Sequence, residues 1–109
     1  MSTMNTMSEK TKLKITVLHR TAPSELFDKL PVTPVNELHA CGIYTDNQEF
    51  IIDGNQMPEG FCSSAWMAIN PTVKTLLYGG SLPWYKEEGV SVTCCLDGLR
   101  PVIFKIERI

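Results

Sequence analysis

Between Val90 and Ile109 the chain carries two runs of strand composition, Val90–Leu96 and Pro101–Ile109, parted by Asp97-Gly98. β-Branched residues suit a pleated surface, and a glycine that accepts positive φ at no steric cost closes a tight connection between two strands. This arrangement predicts a C-terminal β-hairpin. Such a hairpin cannot stand alone in water, so the rest of the chain must supply further strands and a cover for its apolar face.

Two more strands are legible upstream. In Lys12–His19 the apolar Leu13, Ile15 and Val17 alternate with Lys12, Lys14 and Thr16, the period of a half-buried strand. Glu49–Asp53 has strand composition and runs into Asp53-Gly54-Asn55, a turn signal. The cover is a helix. Cys62, Trp66, Ile69, Val73 and Leu76 follow spacings of 4, 3, 4 and 3, which puts them on one helical face. Ser63 or Ser64 is the expected cap, Gly79-Gly80 the expected end, and Pro71 is expected to kink the helix into two abutting segments. Ser24 to Leu30 predicts a short helical turn capped by Ser24 and stopped by Pro31 and Pro34, with loop continuing to Gly42. Strands and helix do not alternate, so the expected fold class is α+β: a small, largely antiparallel sheet of about four strands with one main kinked helix.

At 109 residues the chain fits one domain, taken here as 12–109 behind a disordered N-terminal tail, 1–11, that is rich in Ser, Thr, Asn and Met. The tail lacks the apolar stretch of a signal peptide, and no apolar run reaches the roughly 18 to 20 residues of a membrane span. A net charge of −2 offers no footprint for phosphate backbones. The expected setting is therefore cytoplasmic, with no nucleic acid and no membrane as partner. Four cysteines, two of them adjacent and with no export signal, read as free thiols or metal ligands rather than disulfides.

Cysteine is the chemically distinctive residue class. Cys62 begins the predicted helix, where unpaired amides and the macrodipole favour negative charge, a location that suits a nucleophile, a redox thiol or a metal ligand. It also begins the apolar stripe, so packing is its plain alternative. Cys94 falls in register with Val90, Val92 and Leu96 and is expected in the core; Cys95 falls in register with Ser91, Thr93 and Asp97 and is the functional candidate. Cys41, Cys62 and Cys95 with His39 could supply the ligands of zinc or an iron–sulfur cluster, although their gaps match no standard spacing. Without a cofactor, Cys62, Cys95, Asp97, Asp53 and His39 are the available acids, bases and nucleophiles. Asp53 and Asp97 also read as turn residues, with Arg100 pairing Asp97.

Gln48 to Gly54, Met57-Pro58-Glu59-Gly60-Phe61-Cys62 and Cys94-Cys95-Leu96-Asp97-Gly98-Leu99-Arg100-Pro101-Val102-Ile103-Phe104-Lys105-Ile106-Glu107-Arg108 together resemble a family of small uncharacterised proteins, over roughly Lys12 to Ile109. In that family the loop cysteine is commonly followed by proline, whereas Cys41 is followed here by Gly42. The resemblance implies one folded unit and draws attention to Cys62, Cys94 and Cys95; it brings no reaction, cofactor or substrate.

Three readings follow. The first is a cysteine-centred module that binds a metal or uses a reactive thiol at Cys62 and Cys95. The second is a cofactor-free enzyme or small-molecule binder, with a pocket between helix and sheet bordered by Trp66, Trp84, Cys95, Asp97 and Arg100. The third is an accessory or assembly protein, whose aromatic loop at Trp84-Tyr85 and C-terminal strand edge meet further copies of the chain or a larger enzyme.

Overall fold

A computed structural model of the chain describes residues 11–109, so all but the last residue of the expected tail lies outside the described residues. The elements are β1 (Lys12–Arg20), α1 (Pro23–Leu26), β2 (Glu49–Asp53), α2 (Ser63–Leu77), β3 (Val90–Cys94) and β4 (Val102–Arg108). The four strands form one sheet in the order β2-β1-β4-β3, and every neighbouring pair is antiparallel. The α+β architecture expected from the sequence is the observed one.

Strand alternation sorts the two sheet faces. Leu13, Ile15 and Val17 of β1, Phe50 and Ile52 of β2, and Val102, Phe104 and Ile106 of β4 all point to one face and are buried. α2 lies across that face and buries Ala65, Ile69, Val73, Leu76 and Leu77 against it. The opposite face is uncovered and partly charged. There Lys14 Nζ lies 3.6 Å from Glu49 and 3.6 Å from Glu107, and Lys105 Nζ lies 3.5 Å from Glu107, a ladder of cross-strand pairs. An irregularity between Val17 and His19 shifts the β1–β4 register. No helix among the described residues is long and apolar enough to cross a membrane.

Several local expectations are corrected. β4 is an interior strand, paired to β1 on one side and β3 on the other, so the C-terminal strand offers no open edge for assembly. The expected facing of β3 is reversed. Ser91 stands opposite Ile106 and Thr93 opposite Phe104, and residues directly opposite share a face. The strong apolar alternation of β4 therefore turns Ser91 inward, where it is buried, and sends Val92 and Cys94 to the uncovered face. β3 also ends at Cys94 rather than Leu96. Gly98 does not take positive φ; the connection is held by Asp97, whose Oδ1 accepts the N–H of Leu99 at 3.1 Å and of Arg100 at 3.3 Å.

α2 is one continuous helix with Pro71 inside it, not two segments. Proline removes the bond to the carbonyl of the residue four before it, Met67, and crowds that carbonyl, but both residues are exposed, so the carbonyl can turn to water. The N-cap is Cys62, not Ser63 or Ser64, and its side chain makes no capping bond. At the other end Gly79 N–H bonds Leu76 O at 3.3 Å and Gly80 N–H bonds Thr75 O at 2.8 Å, with Gly79 at φ 90°, a Schellman closure. α1 is capped by Glu25 rather than Ser24: Ala22 N–H donates to Glu25 Oε2 at 2.6 Å, and His19 Nε2 lies 2.8 Å from Oε1. The bond from Ala22 and then the one from His19 hold the Glu25 carboxyl below its ordinary pKa.

Candidate functional site

The loop between α1 and β2 is anchored from below by two arginines. Arg20, at the end of β1, donates from Nη1 to the carbonyl of Cys41 and from Nε to Asp46, each at 3.1 Å. Arg100, beside the β3–β4 connection, donates from Nη1 to the carbonyl of His39 at 3.1 Å. The loop then carries Tyr44 into the core. Its ring meets Phe50 at 5.9 Å, Phe61 at 5.4 Å and Phe104 at 5.4 Å between centroids, each edge-on, a favourable geometry for aromatic quadrupoles. Phe61 in turn packs on Trp66 at 6.1 Å.

Where this loop, the first turn of α2 and the β3–β4 connection converge, they enclose a cleft of about 390 Å³. Cys41, Ile43 and Tyr44 come from the loop, Cys62, Ser64 and Ala65 from the start of α2, and Cys95, Leu96, Asp97, Arg100 and Val102 from the hairpin end. The volume falls in the range of small-molecule sites, and the mixture of apolar walls with a few polar groups is their usual lining. A second hollow, of about 350 Å³ and lined by residues that include Pro23, Phe27, Pro34 and Leu38, contains no cysteine or histidine.

The cleft's polar groups have defined partners. Tyr44 is 2% exposed and its hydroxyl oxygen accepts the N–H of Cys62 at 3.0 Å. Burial pushes its phenol up to about 12, against the opposing effect of the Cys62 N–H, and negative charge on Cys62, Cys41 or Cys95 would push it the same way. Tyr44 is therefore neutral and protonated at physiological pH. Asp97 is drawn upward by desolvation, but the N–H of Leu99, the Arg100 side chain and the Arg100 N–H together outweigh it and hold the carboxyl below its ordinary value. Arg100 Nε closes that pair at 3.1 Å.

The cysteines differ in how they are held. Cys95 Sγ accepts the N–H of Val102 at 3.3 Å while its own N–H bonds Val102 O at 3.1 Å, so it extends the β3–β4 ladder beyond the strand ends. Cys62 uses its backbone for Tyr44 and leaves its thiol without a capping bond. Cys94, on the uncovered face, is exposed and does not line the cleft.

Of the residues singled out from the sequence, Cys41, Cys62, Cys95, Asp97 and Arg100 are brought together here. His39 contributes its carbonyl to Arg100 and its ring does not line the cleft. Trp66 packs on Phe61 outside the cleft, and Trp84 is 70% exposed beside Tyr85. Asp53 closes the β1–β2 ladder opposite Lys12. Among the described residues no three His, Cys, Asp or Glu side chains are arranged to hold a metal ion, so the expected set of Cys41, Cys62, Cys95 and His39 does not fit zinc or an iron–sulfur cluster as placed. Sequence reasoning missed Tyr44 and Ser64. The sequence offered little signal for Tyr44, since Ile43-Tyr44 follows a loop that already carries Val32, Val35 and Leu38.

No protein-family model, curated protein or solved structure matches the chain.

Proposed function

We propose that the chain is a small thiol-dependent module whose nucleophile is Cys62, acting on a small molecule held in the cleft. The observation that carries this reading is that Cys41, Cys62 and Cys95, far apart in sequence, line one cleft of small-molecule size. The chemistry is attack by the Cys62 sulfur, as thiolate, on an electrophilic carbon or on one sulfur of a bound disulfide. A sulfur–carbon or sulfur–sulfur bond forms, the leaving group departs with the electrons of the bond that breaks, and the thiol proton passes to water. Cys62 is preferred over Cys95 because the Cys95 sulfur already accepts a backbone bond. Its place at the first turn of a 15-residue helix adds the favourable field of that terminus.

The metal form of a cysteine-centred module needs its ligands brought closer than they stand, and a pocket binder without covalent chemistry needs only the cleft. One experiment separates them. The native protein, purified without a metal-affinity tag, is analysed for metal and treated with a limiting amount of iodoacetamide, and the labelled cysteines are mapped by mass spectrometry. The expected result is a metal-free protein labelled fastest at Cys62 among the cleft thiols. Stoichiometric zinc or iron that protects Cys41, Cys62 and Cys95 would establish the metal module instead, and cleft thiols that react only after denaturation would leave the non-covalent binder.

A further inference from the structure

The cleft is lined by a buried phenol, Tyr44, whose hydroxyl has one hydrogen-bonding capacity still open among the described residues. A tyrosine hydroxyl can accept and donate, and Tyr44 accepts from Cys62 N–H. No described residue accepts the hydroxyl's own proton, although the sulfurs of Cys41, Cys62 and Cys95 line the same space. A hydroxyl on a side chain that is 2% exposed is costly to leave half-matched, which favours an acceptor in the cleft.

The other polar groups along the walls are biased the same way. Cys62 caps α2 without a side-chain bond, so the first-turn amides of Ser64 and Ala65 receive nothing from it, and both residues line the cleft. The Ser64 hydroxyl stands beside them. Arg100 uses Nε for Asp97 and Nη1 for His39, while its Nη2 has no partner among the described residues. The single carboxylate of the lining, Asp97, already accepts from Leu99 and Arg100. The cleft therefore offers donors and a positive group, and few free acceptors.

We infer that the cleft binds a small organic carboxylate, with the Tyr44 hydroxyl donating to one carboxylate oxygen and the first turn of α2 and Arg100 completing its recognition. This rests on the cleft taken above as the functional site and names the class of molecule that Cys62 would meet there. Carboxylate suits the site better than a cation, which would face Arg100 and the amide ends, and better than a hydrocarbon, which would leave the Tyr44 proton unmatched. The apolar Ile43, Ala65, Leu96 and Val102 accommodate a short carbon chain. Because the phenol stays protonated, its role is to donate and orient, and it takes no proton from the ligand.

The test uses propionate as probe and the full chain, with the backbone amide resonances of Cys62, Ser64 and Ala65 followed by nitrogen–proton NMR. Propionate is expected to shift these amides saturably, and propylamine at the same ionic strength is not. Propionate has no electrophilic centre or disulfide for a thiol to attack, which keeps the result independent of thiol reactivity. Tyr44→Phe should weaken propionate by about tenfold, the loss of one hydrogen bond to a charged group. An absence of saturable shifts, or equal affinity in Tyr44→Phe, overturns the inference. If Tyr44→Phe does not fold, native protein containing 3-fluorotyrosine gives the same reading: the Tyr44 fluorine resonance moves saturably with propionate, and a resonance that stays still overturns the inference. Propionate binding without Cys62 alkylation removes the thiol reading and leaves this one standing; the reverse pair removes this one alone.

Discussion

At its C-terminal end α2 is closed by every device the chain can bring to it, whereas its N-terminal end is left with an uncapped first turn facing a cleft. Gly79 and Gly80 return their N–H groups to Leu76 and Thr75. Arg108, from the last residue of β4, donates from Nη1 to Leu76 O at 2.8 Å and to Gly80 O at 2.6 Å, and from Nη2 to Ser81 Oγ at 3.3 Å. Ser81 Oγ also accepts Gly89 N–H at 2.8 Å, and a Cβ at Gly89 would come within 2.8 Å of the guanidinium. A fixed cation thus sits on the negative end of the helix dipole and ties helix, loop and sheet together. At the opposite end the Cys62 side chain supplies no cap, and the Tyr44 hydroxyl, which accepts the Cys62 N–H, has a proton still to give. Stability is concentrated at one terminus, and the other keeps its hydrogen-bonding capacity for a ligand.

Arg108→Ala should break the comparison most sharply. It strips charged hydrogen bonds from several carbonyls at once, and urea denaturation should show a loss of about 3 kcal/mol, with Arg108→Lys recovering only part of it. Gly79→Ala attacks the same end through the backbone, since φ 90° is strained for any side chain; a loss of about 1 to 2 kcal/mol is expected by the same measurement. Cys62→Ser acts in the opposite sense. A serine at that N-cap can bond the first-turn amides, so the unfolding free energy from urea denaturation should rise by about 0.5 to 1 kcal/mol, with a higher midpoint, while alkylation of the site disappears. An unchanged or lowered midpoint would mean that the first turn is already satisfied.

The smallest effect concerns acid. Asp97 has its folded pKa held below the ordinary value, so its contribution is complete above the unfolded pKa and is lost as pH falls through the folded one. Unfolding followed from pH 7 downward should therefore show Asp97→Asn and native protein converging at the acid end, below about 3.8. A difference that persisted into strong acid would mean that Asp97 contributes through hydrogen bonds its protonated form keeps.

Much of the fold was legible in the sequence because period-two and 3.6-residue patterns report directly on which side chains a strand or helix must bury. Leu13, Ile15 and Val17 alternate cleanly, and Ile69, Val73 and Leu76 mark the covered face of α2. β3 misled for a physical reason. In an edge strand that carries Val90 and Val92 outward beside Glu107 and Lys105, local polarity is a weaker force than the register imposed by β4. Pro71 misled because the carbonyl it orphans, that of Met67, lies on the exposed side of α2, where water can serve it. Cys62, Cys95, Asp97 and Arg100 were legible as candidates from residue chemistry and turn position, but Trp66 and Trp84 are equally conspicuous in sequence and lie elsewhere. Tyr44 carried almost no local signal, since nothing in a loop sequence states which hydroxyl will be buried.

By itself the sequence determined the elements, their antiparallel class and the set of reactive residue types, because each of these follows from interactions among neighbours within a few positions along the chain. Only the tertiary structure decided that Arg20 and Arg100 would pin the loop by its carbonyls, that Tyr44 would bring its hydroxyl to Cys62 N–H, and that Cys41, Cys62 and Cys95 would line a common cleft. Those outcomes depend on contacts between segments separated by 18 to 61 positions. No local pattern encodes such contacts; they are selected by the packing of the whole core.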